Sequence, residues 1–111
     1  MKKRETLFRE NVVNPFLDKL KNSHWFSIQQ VSLRGHPDKV GVVNGCFVAI
    51  ELKDIDEEPR PLQQYHLDKI EKSGGVALCA TKDNWENIKQ ILNELSQSSN
   101  KGEEWKHQQL S

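Results

Sequence analysis

Asn44-Gly45 constrains this chain more than any other pair of residues. Both residue types accept positive φ, and together they favour the two-residue turn whose twist matches paired strands. Apolar runs rich in Val, Ile and Phe stand on either side, Asp38 to Val43 and Cys46 to Lys53. The pattern predicts a tight hairpin. With a two-residue turn, Val43 faces Cys46, and pairing runs outward until Asp38 stands directly opposite Glu51. Counted from the turn, that last pair is not hydrogen-bonded, so its Cα atoms approach to about 4.5 Å. Side chains alternate along a strand, which puts Glu51 and Lys53 on one face with Asp38.

The remaining elements follow from periodicity. Phe8, Val12, Phe16 and Leu20 recur at i+4 spacing and predict a helix from about Arg4 to Lys21, kinked or divided at Pro15. Ser27 to Leu33 alternates loosely and reads as a strand. Pro59 and Pro61 lead into a second helix over about Pro61 to Ser73, ended by Gly74-Gly75. Val76 to Ala80 is a short apolar strand. Asp83 or Asn84 caps a third helix, whose apolar side is Trp85, Ile88, Ile91, Leu92 and Leu95. The order is helix, three strands, helix, strand, helix. The middle strands are apolar on both faces, so cover on both sides of a mixed four-stranded sheet is expected, giving an α/β layered domain.

Length and composition set the outer bounds. The 111 residues suit one core. Residues 1–96 read as the folded domain and 97–111 as a polar, flexible tail, where Trp105 and Leu110 are the sizeable apolar groups. Basic and acidic residues balance at 16 each, whereas a nucleic-acid binder usually carries a basic excess. Lys2, Lys3, Arg4 and Arg9 nevertheless cluster at the start. The run Asp54 to Glu58 is acidic and reads as a solvated loop. Cys46 and Cys79 sit in apolar runs without metal-binding spacing, which fits buried free thiols in a reducing compartment. No secretory signal or long apolar segment is visible, so a soluble, cytoplasmic protein without membrane contact is expected.

Two carboxylates held opposite one another repel. Lys53 offers one compensating charge, and a divalent cation offers two. Magnesium takes one or two carboxylates and keeps several waters. The competing reading is that Lys53 forms an ion pair with Glu51 or Asp38 at a sheet edge. Charges at the end of a face otherwise made of Val40, Val42, Phe47 and Ala49 are costly unless paired or coordinated.

The run Gly35-His36-Pro37-Asp38, then Glu51-Leu52-Lys53, then Pro61-Leu62-Gln63 heading a helix and Gly74-Gly75 before a strand, resembles the PD-(D/E)XK nuclease superfamily. Within it the chain looks like compact virus-type replication-repair nuclease (VRR-NUC) domains and Holliday-junction resolvase-like phage proteins. The resemblance covers about Thr6 to Leu95. It implies a small restriction-endonuclease-like fold and Mg²⁺- or Mn²⁺-dependent DNA cleavage. Asp38 and Glu51 would be metal ligands together with the backbone carbonyl of Leu52, and Lys53 the catalytic lysine. Gln63 matches a glutamine that many members carry on the helix after the E-x-K strand; the alternative is a surface glutamine.

Related nucleases often carry a further acid on the first helix. Glu5 falls near the centre of the apolar stripe and is favoured over Glu10, with a solvated face as the competing reading for both. Arg34, Lys39 and Arg60 flank the site in sequence and, with His36, are the candidate nucleic-acid contacts. His36 is set against an ordinary turn residue. The small size favours recognition of DNA structure, such as branches or junctions, over sequence. Acting on two strands would take two sites, hence a homodimer. Two rivals stand beside the nuclease: a non-catalytic nucleic-acid-binding module on the same fold, and a protein-interaction domain.

Overall fold

The computed structural model describes residues 4–28, 37–55 and 57–98, with the backbone alone for Glu5. At the Asn44-Gly45 turn both residues have positive φ, 50° and 83°. The flanking strands are β2 (Lys39–Val43) and β3 (Cys46–Leu52). Their antiparallel register runs from Val43↔Cys46 to Lys39↔Ile50, the pairing the turn predicts. Asp38 and Glu51 are the next positions in line.

The first strand, β1 (Ser23–Ser27), lies earlier than the alternation from Ser27 suggests. It pairs antiparallel with β2, Ser23 against Val43 and Ser27 against Lys39. Residues 29–33 of the expected strand lie outside the described residues. The last strand, β4 (Val76–Ala80), joins β3 in parallel, Glu51 against Cys79 and Leu52 against Ala80. The result is a four-stranded mixed sheet in the order β1-β2-β3-β4. This is an α/β architecture.

The N-terminal helix is continuous but changes pitch. It runs as α1 (Arg4–Phe8), a π-helical turn (Arg9–Val13) and α2 (Asn14–Lys19). Pro15 lacks an N–H, and in an unbroken α-helix its ring would strike the carbonyl four residues back. The wider turn relieves that clash, and the Asn14 N–H bonds the Arg9 carbonyl five residues back. The helix therefore neither breaks nor keeps its phase. The extra residue moves the apolar stripe from Val12, which is exposed, to Val13, which is fully buried. Phe8, Val13 and Leu17 become the buried line.

That line packs with α4 (Trp85–Gln97) over one face of the sheet. Val43, Val48, Ile50, Leu52 and Ala80 meet Trp85, Ile88 and Leu92 there. Phe8 and Phe16 both set their rings edge-on to Trp85, with centroids 5.7 and 5.6 Å away. Ile91, expected on the same side, is 41% exposed, and Ser96 near the helix end is buried. Two side chains grip the carbonyls at the end of α4. Asn22 Nδ2 donates to Ser96 O, and Asn44 Nδ2 donates to Leu95 O and Ser98 O. Residues 99–111 lie outside the described residues. Asn84 occupies the N-cap, yet its side chain turns backwards: Oδ1 accepts from Thr81 N–H and Nδ2 donates to Cys79 O.

The other face carries α3 (Pro61–Lys72), ended by Gly74 at φ 97°. Helix α3 lies against β4 and reaches β3 at Glu51 through Gln63. It does not extend over β1 and β2. Phe26, Val42 and Phe47 on that face are 59%, 46% and 44% exposed, so the cover seen there among the described residues is partial. Among the described residues no helix is long and apolar enough to cross a membrane.

Candidate functional site

The end of the hairpin remote from the turn is where charge enters the sheet. β2 stops at Lys39, and the Asp38 side chain takes over the next rung. Asp38 Oδ2 accepts from the Leu52 N–H at 2.8 Å, while the Asp38 carbonyl accepts from the Ile28 N–H at 3.0 Å. Asp38 is thus clamped between the strands on either side of it. Leu52 N–H points towards β2, and a strand residue sends its N–H and C=O to the same edge. The Leu52 carbonyl therefore opens on the Asp38 side. One residue on, the Lys53 N–H bonds the Ala80 carbonyl at 3.0 Å and extends the parallel pairing with β4.

Glu51 is 2% exposed and Lys53 7%. Ions this far from water are costly without partners. Gln63 supplies one to Glu51. Its Nε2 donates to Glu51 Oε1 at 3.2 Å, and its Oε1 accepts from the Arg60 N–H at 2.9 Å. The second bond caps α3, so the carboxamide is held from both ends. Gln64, one position on, turns away and donates to Asp68 at 2.8 Å on the exposed side.

Asp38, Glu51, Lys53 and Gln63 line one cavity of about 480 Å³ together with Arg4, Asp54, Glu57 and Arg60. Three of the four residues from Asp54 to Glu57 are described, and two of them, Asp54 and Glu57, wall this cavity rather than forming a purely solvated loop. Arg4, Asp54 and Glu57 were not singled out from sequence as site residues. Their only signal was charge, because their place is set by the packing of α1 and the β3–α3 connection. Cys79 neighbours Glu51 across the parallel pair. Burial pushes its thiol up, the Glu51 and Asp38 charges add to that, and Lys53 opposes it.

The other sequence candidates separate. Arg60 lines the cavity. Lys39 does not. Its neighbour Asp38 faces the site, so alternation sends Lys39 to the opposite face, where it is 7% exposed and donates to Ser27 Oγ at 2.9 Å. Burial lowers its pKa, Arg9 adds to that and Asp18 partly offsets it. Lys39, expected among the nucleic-acid contacts, thus lies away from the cavity. Arg34, His36 and the Glu5 side chain lie outside the described residues. Glu10 falls in the π turn and is exposed.

Among the described residues no three His, Cys, Asp or Glu side chains gather into a ligand set. Two carboxylates at one cavity, with the Leu52 carbonyl directed to the Asp38 side, fit a hard cation that keeps most of its waters. Among the described residues the wall carries four acidic side chains against three basic ones, so a cation also corrects that charge. No family model, curated protein or solved structure matches the chain.

Proposed function

We propose that this protein is a metal-dependent DNA endonuclease of the PD-(D/E)XK type, on a small restriction-endonuclease-like fold. One observation carries the reading: Asp38, Glu51, Lys53 and Gln63, which the sequence resemblance singles out, line a single cavity. The spacing of these residues in the chain is wide, and an unrelated role would not need them to meet.

Asp38, Glu51 and the Leu52 carbonyl would hold Mg²⁺ or Mn²⁺. Bound there, the ion supplies Lewis acidity at a phosphate oxygen and favours water as a nucleophile near neutral pH. Gln63 fixes the Glu51 carboxylate. Lys53 orients the attacking water, or offsets charge growing on the phosphoryl oxygens. Water adds to phosphorus in line, the P–O3′ bond breaks, and the 3′ oxygen leaves and takes up a proton. The products are a 5′-phosphate and a 3′-hydroxyl. Arg60 contacts the DNA backbone. In this reading branched or junction DNA is the substrate, and a homodimer supplies the second site for paired cuts.

The test is direct. Branched and linear DNA are incubated with the protein in Mg²⁺, Mn²⁺ or EDTA. Cleavage with either ion, none in EDTA and faster cutting of the branched form are expected. No cleavage with either ion, or an Asp38→Asn variant that cuts as fast as the parent, overturns the assignment.

A further inference from the structure

The start of α1 reaches the rim of the cavity. Arg4 Nη2 pairs with Asp54 Oδ2 at 2.9 Å, and Arg4 lines the wall shared by Asp38, Glu51 and Lys53. Asp54 is fixed independently of the arginine. Its Oδ1 accepts from the Ile55 N–H at 2.8 Å, and its carbonyl accepts from the Glu57 N–H at 3.0 Å. The Asp54 side chain is 21% exposed and that of Arg4 74%. The carboxylate is thus the fixed post, and the guanidinium is the part that meets solvent.

Such an open pair adds only about 0–1 kcal/mol to stability. It does define a position. A guanidinium carries five N–H donors in a rigid fork. The contact with Asp54 is made by Nη2 on Oδ2, while Oδ1 serves the turn. Donors are left over at the mouth of a cavity whose floor holds two carboxylates and a buried amine. Arg60 stands on the same wall at the head of α3.

We infer that Arg4 is a substrate-binding residue: tethered by Asp54, it receives a DNA backbone phosphate beside the one that is cut. The inference rests on the nuclease reading of the cavity. A phosphate contact carries no sequence information and weakens with salt.

The experiment measures binding of the full chain to a fluorescently labelled four-way DNA junction in Ca²⁺ across a NaCl series. Arg4→Ala is expected to weaken binding by about tenfold and to reduce the salt slope by about one. Arg4→Lys should keep the slope while losing part of the affinity. Lys89→Ala, an equal charge change on α4, should change neither. In Mg²⁺ the Arg4→Ala loss should appear in KM, with kcat near that of the parent. Parent-like affinity and slope in Arg4→Ala overturn the inference, while the nuclease reading stands or falls separately on whether Asp38→Asn still cuts. A parent protein that binds no DNA in Ca²⁺ overturns both.

Discussion

Asp38 completes the ladder between β2 and β3 with its side chain, through the 2.8 Å bond from the Leu52 N–H to Oδ2. The same carboxylate thus has a structural and a chemical task, and two substitutions separate them. Asparagine keeps an acceptor for Leu52, so Asp38→Asn should melt within a few degrees of the parent yet fail to cut DNA. Asp38→Ala also fails to cut, and it strands the Leu52 N–H, which costs about 1–3 kcal/mol. Denaturant unfolding of both variants checks the difference. Equal stability would mean that Leu52 finds another partner.

Gln63 is engaged at both ends of its carboxamide, by Glu51 and by the Arg60 N–H. Gln63→Ala should lower activity or metal affinity about 10–100-fold, the usual effect of losing a group that orients a ligand. Gln63→Glu keeps the acceptor for Arg60 but sets a second carboxylate against Glu51. Repulsion raises the pKa of that pair in the folded state above its unfolded value. The folded state then binds more protons, so the variant's deficit in stability should shrink as pH falls through the raised pKa. Thermal melts at pH 7 and pH 5 read this out; a deficit that stays constant with pH would remove Gln63 from Glu51.

The N-terminal helix offers a test of the π turn. Val13 is fully buried and Val12 39% exposed. Val13→Ala should therefore cost about 2 kcal/mol. Val12→Ala should cost under about 0.5 kcal/mol. The opposite ranking in denaturant midpoints would restore the uninterrupted i+4 phase.

The hairpin and the helix show what can be read from sequence and what cannot. The β2–β3 register was legible because a two-residue turn fixes it locally, and that register put Asp38 beside Glu51. Helix α3, strand β4 and the Gly74 stop were legible for the same reason: proline, glycine and short apolar runs act on their own neighbours. The stripe through Val13 was not, because Pro15 shifts the phase by one residue and no periodicity count contains that shift. Strand β1 begins earlier than the alternation suggests because Ser23 to Ser27 is held in the sheet by pairing with β2, a non-local contact that leaves little mark on those residues' own pattern. Arg4, Asp54 and Glu57 come to the cavity only through tertiary packing.

Lys39 and Arg60 were equivalent as basic residues near the motif, and the fold makes them different. Lys39→Met should leave DNA affinity unchanged and alter stability alone, since the amine is buried against Ser27 on the far face. Arg60→Ala should weaken DNA binding and reduce its salt slope by about one. Anisotropy titrations of the two variants decide this. A Lys39→Met protein that folds normally but binds DNA more weakly would place the amine at the nucleic acid after all.

The charge on the cavity wall makes binding as well as cutting depend on a cation. Among the described residues four acidic side chains face three basic ones there, and the whole chain carries no net charge to draw DNA in. A phosphate approaching the bare wall meets an excess of like charge; one divalent ion reverses that sign. Affinity for a DNA junction should rise by about tenfold or more, some 1.4 kcal/mol, on replacing EDTA with Ca²⁺. Glu57 is exposed on the wall and has its backbone N–H, not its carboxylate, in the Asp54 turn. Glu57→Gln should therefore raise affinity in EDTA while changing it little in Ca²⁺. Equal binding of the parent in EDTA and Ca²⁺ would show that phosphate reaches the protein by a surface other than this cavity.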